Sequence, residues 1–291
     1  MSLVNDYKLR IHFILPGGGV RGAFQAGFLY GLFTKHKNEF DICRIDGTSV
    51  GSINGFSIMN EKYENLREIW YSINSINDLF DNWTNRYLGN WFSRYRGFYK
   101  NGLYCNKKLN NLLYSKLNKS WDSFPDSYKK KFSCVVVNVD SAECKYISGD
   151  NKKIIDYVTA SASPWIVSNP MKIDNTYFTD GCLLETYPIK YIEKCNADLT
   201  VIVGYDQEHI RFNKSNNDNL FEYLATLIDI SRFNSENCSE IKNFLENESI
   251  ITISNPMKIS FLDFNQTSIK IGFEQGEEFA DSFYKAYIKN K

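Results

Sequence analysis

The sequence predicts an α/β fold, a three-layer sandwich around a mostly parallel central sheet. Apolar runs of strand length alternate with longer helical patterns. The first two of those runs each empty into a glycine-rich turn and then a helix, an arrangement that buries a strand on both faces. With 291 residues, 43% of them hydrophobic and 23% charged, the chain can also bury one large core.

Ile11 to Leu15 is the first strand, and it runs directly into Pro16-Gly17-Gly18-Gly19-Val20-Arg21-Gly22. Ala23, Phe24, Ala26, Phe28, Leu29 and Leu32 then recur at helical spacing. The design repeats: Asp41 to Asp46 reads as a strand, Gly47-Thr48-Ser49-Val50-Gly51 as a tight turn, and Ile53 to Met59 as a helix. Further strands are expected at Phe132 to Val139, Tyr177 to Phe178, Leu199 to Val203 and Ile250 to Ile253, with a final helix near Phe273 to Ile288. Residues 70–104 differ, being dense in aromatics with Arg86, Arg94, Arg96 and Lys100 interleaved, and read as an insertion or cap. No Pro- or Ser-rich linker and no internal repeat divides the chain, so residues 1–291 are expected to form one domain.

Lys plus Arg (34) balance Asp plus Glu (34), which argues against a protein whose main task is binding nucleic acid. No apolar run approaches the roughly 20 residues that span a bilayer. Met1 to Arg10 lacks the pattern of a secretory signal, so a cytosolic location is the default expectation. Seven scattered cysteines, without a C-x-x-C pair or histidines at zinc spacing, read as reduced and mostly structural thiols.

Gly47-Thr48-Ser49-Val50-Gly51 fits the G-x-S-x-G nucleophile elbow, in which flanking glycines let the chain turn sharply enough to expose a serine hydroxyl above the sheet. A glycine-cornered turn with a helix-capping serine is the plainer alternative. Acyl transfer also needs donors for a developing oxyanion, and the successive N–H groups of Gly17 to Gly22, opening a helix, supply them. The same loop satisfies G-x-G-x-x-G through Gly17, Gly19 and Gly22, with Asp46 ending the next strand, which is a dinucleotide fingerprint. A serine elbow at the place where a ribose should sit weighs against that reading.

Asp180-Gly181 follows a strand-like pair, where a carboxylate can point into a site at a strand end; a plain Asp-Gly turn is the alternative. The candidate bases are few. His12 falls in the first strand and reads as core filler; His36 falls near the end of a helix and reads as a solvated terminus. His209 would complete the order Ser49, Asp180, His209; if it is only a surface turn, Asp180 must take the serine proton directly.

GGGVRG at 17–22, GTSVG at 47–51 and DG at 180–181 together resemble the patatin-like phospholipases, in order and in separation. Asn101-Gly102-Leu103-Tyr104 before a helical Leu109 to Leu117, Ala160-Ser161-Ala162-Ser163-Pro164, and Leu183 to Pro188 extend the resemblance to roughly residues 10 to 290. It implies a patatin-like fold and a phospholipase A type lipid acyl hydrolase. Ser49 would be the nucleophile and Asp180 the base of a Ser/Asp dyad. The oxyanion hole would come from Gly17, Gly18 and Gly19, with Arg21 buttressing the loop or meeting phosphate, and Gly22, Gly47, Gly51 and Gly181 would complete the motifs. Cys182 stands where the family usually has Gly or Ala. No metal or other cofactor is implied, and the partner would be a phospholipid or other acyl-ester lipid, met in transient contact at a membrane or micelle surface. Trp83, Tyr87, Trp91, Tyr95 and Tyr99, spaced four apart, then become candidates for that interface, or equally for an aromatic stripe packed on the core. A catalytically silent lipid-binding relative and a dinucleotide-dependent oxidoreductase remain the competing functions.

Overall fold

A computed structural model describes residues 7–82, 104–165, 168–205, 249–255 and 263–289. Eight strands form the main sheet: β1 (Leu9–Leu15), β2 (Phe40–Thr48), β5 (Phe132–Asn138), β6 (Glu143–Ser148), β7 (Met171–Ile173), β8 (Thr176–Asp180), β9 (Leu199–Tyr205) and β10 (Ile250–Asn255). They run in the order β10-β9-β1-β2-β5-β8-β7, with β6 also on β5. The pairings from β10 across to β5 are all parallel; β6, β7 and β8 join antiparallel. A two-residue ribbon, β3 (Asp81–Asn82) with β4 (Tyr104–Cys105), stands apart.

The helices are α1 (Gly22–His36), α2 (Val50–Met59), α3 (Tyr63–Tyr71), α4 (Ile76–Leu79), α5 (Lys107–Trp121), α6 (Asp126–Lys129), α7 (Ile154–Ser161) and α8 (Gln266–Phe283). Phe13, Phe28, Phe56, Phe132, Phe273 and Phe283, all buried to within 1% of full enclosure, anchor the larger core between these helices and the sheet. Ile14, Ile202 and Ile250 form a smaller core with Tyr187, against which Ile189 and Ile192 pack. The result is the three-layer α/β sandwich with a mostly parallel sheet that the sequence predicts.

The differences are local. β6 and β7 were not expected: β6 is a largely polar strand and β7 has three residues, so neither carries a readable apolar period. α8 begins seven residues earlier than expected, where the Asn265 side chain caps it by accepting the Thr267 N–H at 2.8 Å. Trp70, Ile73, Phe80 and Tyr104 are buried in the main core, so both ends of the expected 70–104 insertion belong to the body of the fold. Residues 83–103, with Trp83, Arg86, Tyr87, Trp91, Arg94, Tyr95, Arg96 and Tyr99, lie outside the described residues.

α1 and α8 cross with their backbones almost touching. A methyl group at Gly27 would sit 1.9 Å from the Phe273 carbonyl oxygen, and one at Gly276 would sit 2.1 Å from that of Phe24. Beyond the crossing, Asp281 accepts from Lys35 Nζ (2.9 Å) and bonds His36 Nε2 (3.2 Å), while the His36 ring stacks on Tyr284 at 3.7 Å. His36 is therefore a clasp between two helices rather than a solvated terminus. The Lys35 hydrogen bond, ahead of that from His36, holds the Asp281 carboxyl below its ordinary range. A carboxyl depressed in the folded state adds stability above its unfolded pKa and loses it as pH falls through the folded one. Asp281→Asn should thus lower the melting temperature at pH 7 and leave it unchanged near pH 2. Both partners are about two-fifths exposed, so the cost is at most about 1 kcal/mol, measured by urea titration at the two pH values.

Candidate active site

The site is assembled by β5. One side of β5 is taken along its length by β6, so β2 and β8 share the other. Thr48 at the end of β2 stands opposite Val135, and Asp180 at the end of β8 stands opposite Val136. β2 runs parallel to β5 and β8 antiparallel, so the two strands meet end to end. The residues emerging there, Ser49 and Asp180, face each other.

Ser49 occupies the one-residue junction between β2 and α2, with φ 55° and ψ −127°. A side chain rarely adopts this backbone, and strain of this kind persists only where the surroundings enforce it. Here they do. The elbow closes directly over the end of β1: a methyl at Gly51 would lie 1.9 Å from the Leu15 carbonyl oxygen, and one at Gly47 would lie 2.5 Å from that of Gly51. The Ser49 amide donates to Ser161 Oγ (2.9 Å), and Ser161 in turn donates to the Val135 carbonyl (2.6 Å). Ser52 Oγ donates to the Ser49 carbonyl at 2.6 Å.

Ser49 Oγ donates to Asp180 Oδ2 at 2.6 Å, with 8% and 4% of the two residues exposed. The length is that of a charge-assisted hydroxyl-to-carboxylate bond. The other oxygen, Oδ1, accepts the Cys182 N–H at 2.8 Å, which fixes the carboxylate plane. The Asp180 amide donates to the Ser163 carbonyl (3.2 Å) and Thr179 Oγ1 donates to the same oxygen (2.8 Å). The C-terminal end of α7 and the turn after it thus hold both partners, Ser49 through Ser161 and Asp180 through Ser163. Neither serine has a spacing signal that reveals this role, because it depends on the pairing of β5.

The glycine loop lies against this pair. A methyl at Gly17 would strike Cys182 Sγ at 2.1 Å and Ser49 Cβ at 2.7 Å, so Gly17 is the spacer that lets the loop approach. Its own amide is turned to the Thr186 carbonyl at 3.4 Å, and the amides of Gly18, Gly19 and Val20 make no bond among the described residues. Gly18 caps and Gly19 opens a single 3₁₀ turn, Gly19–Arg21, that leads into α1, and the first N–H groups of a helix have no internal partner. Gly22 packs on the Val50 methyls, and Gly181 packs on the Val135 carbonyl and Thr48. A buried polar chain steadies the loop from behind: Trp70 Nε1 donates to Asn54, Asn54 to Gln25, and Gln25 to the carbonyls of Val203 and Pro16.

The dinucleotide reading loses its acidic partner. Asp46 is fully buried, and its carboxylate is engaged by His12 Nε2 (2.8 Å), Arg44 Nε (2.8 Å) and Ser133 Oγ. His12 is buried in the core as expected, and its Nε2 is hydrogen-bonded there to Asp46. His209 lies outside the described residues. The direct bond between Ser49 and Asp180 leaves no space for an imidazole between them.

No curated protein matches this chain. Among solved structures, VipD from Legionella pneumophila is similar at 13% identity over 94% of this chain and 67% of that one, with a TM-score of 0.39. The description "Patatin-like phospholipase" belongs to a family model that matches residues 13–192, a span that runs from β1 past the elbow and Asp180. The chain belongs to the patatin-like phospholipase family, a family of lipid acyl hydrolases.

Proposed function

We propose that this protein is a phospholipase A type serine hydrolase that cleaves fatty-acyl esters of phospholipids through Ser49 and Asp180. The observation that carries the reading is the 2.6 Å bond from Ser49 Oγ to a buried carboxylate, at an elbow strained in the manner of an activated nucleophile. Ser49 Oγ attacks the ester carbonyl while its proton passes to Asp180. The Gly18 and Gly19 amides, at the 3₁₀ turn ahead of α1, stabilise the oxyanion. Collapse of the intermediate expels the lysolipid alcohol, which takes the proton from Asp180. Water, deprotonated by the same carboxylate, then releases the fatty acid from Ser49. Arg21, next to those amides, meets the phosphate or braces the loop. The chain acts as one domain in transient contact with a membrane or micelle surface; among the described residues no helix is long and apolar enough to cross a membrane.

The test is fluorophosphonate labelling of the purified protein beside Ser49→Ala, with fatty-acid release from mixed phospholipid micelles followed in parallel. Labelling and turnover, both lost in Ser49→Ala, are expected. Turnover without labelling, or labelling that persists in the variant, would refute the assignment.

Ser161→Ala removes the acceptor of the Ser49 amide and strands a buried N–H, a penalty of about 1–3 kcal/mol. Since that bond holds the nucleophile's backbone, kcat should fall about tenfold with KM little changed, as steady-state kinetics on micelles of fixed composition would show.

A further inference from the structure

Two thiols 152 residues apart in sequence lie side by side. Cys43 Sγ and Cys195 Sγ are 2.6 Å apart, and the Cys43 thiol also lies 3.2 Å from the Cys195 carbonyl oxygen. The approach is built into the sheet. Along the β1/β2 ladder Ile11 stands opposite Ile42 and His12 opposite Arg44, so Cys43 is an extra residue, a β-bulge. Bulges re-aim the side chain they carry and are retained where that direction is used.

The facing segment is pinned on both sides of Cys195. Four residues before it, the Tyr191 ring lies under the Arg44 guanidinium at 3.7 Å. Three residues after it, the Asp198 carboxylate accepts the Arg10 amide at 2.7 Å, and the Asp198 amide donates to the Arg10 carbonyl at 2.8 Å. Arg10 Nη2 also reaches Cys43 Sγ at 3.5 Å, placing a fixed cation where a thiolate would form. Both cysteines are partly exposed, whereas Cys105 and Cys134 are buried.

We propose that Cys43 and Cys195 are a reversible oxidation site, converted by a disulfide oxidant of the glutathione class into a disulfide that staples the 181–198 segment to β2. The Cys43 thiolate, beside Arg10, attacks one sulfur of glutathione disulfide, forming a mixed disulfide and releasing one glutathione. Burial pushes the Cys195 thiol up, so Cys195 acts second. It attacks the Cys43 sulfur, releases the second glutathione and closes the bond. Two protein thiols lose two electrons and two protons, and glutathione disulfide is reduced to two thiols. The stapled segment starts immediately after Asp180 and carries the Thr186 carbonyl that receives the Gly17 amide, so the staple fixes the distal end of the strap that borders the Ser49 site. This inference does not depend on the hydrolase reading.

The full chain is incubated with glutathione disulfide, alkylated with iodoacetamide and digested with trypsin without reduction. The peptides Asn38–Arg44 and Cys195–Arg211 each contain one cysteine, so their cross-linked mass reports the pair unambiguously. That species is expected after oxidation and should vanish on reduction with dithiothreitol. The melting temperature of the wild-type chain should rise by roughly 5 °C with oxidation, since the bond closes a long loop. Cys43→Ser and Cys195→Ser should each abolish both the mass and the rise. Recovery of the two peptides separately alkylated, or each carrying glutathione, with an unchanged melting temperature, would overturn the proposal.

Discussion

Asp180→Asn is expected to cut the rate of fatty-acid release by about 10⁴-fold or more while leaving the protein folded. The amide matches the carboxylate in size, and its oxygen can still accept the Cys182 N–H that now bonds Oδ1 at 2.8 Å. The group facing Ser49 Oγ would then be an NH₂, which donates to the hydroxyl instead of accepting its proton. Both half-reactions fail together, because the same oxygen serves the attack by serine and the later attack by water. Stability moves the other way or not at all, since removing a nearly buried charge relieves its desolvation cost. Micelle turnover and a urea melt on the same preparation check the prediction. A variant that folds and retains a tenth of wild-type turnover would show that the proton goes elsewhere.

Gly51→Ala should be the most damaging single methyl group near the site. Its Cβ would lie 1.9 Å from the Leu15 carbonyl oxygen and 2.6 Å from the Leu15 carbonyl carbon, so backbone of β1 must move away from α2. A loss of about 3 kcal/mol, with activity falling even in the folded fraction, is expected. Gly55→Ala, one turn along the same helix, is the control. There the new methyl meets Ile45 Cγ2 at 2.8 Å and Leu15 Cδ1 at 3.1 Å, side-chain atoms that can turn aside, and helix propensity repays part of the strain. Its urea midpoint should shift much less than that of Gly51→Ala.

β1, β5 and β9 were legible because burial on both faces writes a nearly continuous apolar run. β1, β2, β5, β9 and β10 fall where Ile11–Leu15, Asp41–Asp46, Phe132–Val139, Leu199–Val203 and Ile250–Ile253 place them, with no end displaced by more than two residues. β6 and β7 were not, since a polar or three-residue strand is specified by its partner rather than by its own pattern. In the site, Ser49, Asp180 and the glycine loop were found through local motifs, which sequence displays directly. Ser161, Ser163, Gln25 and Asn54 act through partners 16 to 178 residues away. Such roles exist only after the sheet is paired, so no window of sequence contains them.

That Ser49 and Asp180, 131 positions apart, are brought together because Thr48 and Asp180 pair with consecutive residues of β5 ties chemistry to the completion of folding. In the proposed reading a chain still emerging from the ribosome holds its nucleophile early and its base late, and neither can act until β5 has captured both strands. A slip of one residue in either pairing moves a strand end by about 3.4 Å, more than the whole length of the bond between the two groups. Lipolysis by this protein would therefore be a stringent assay of register, silent in every misaligned or unfinished chain and switched on only when three distant segments have found their places.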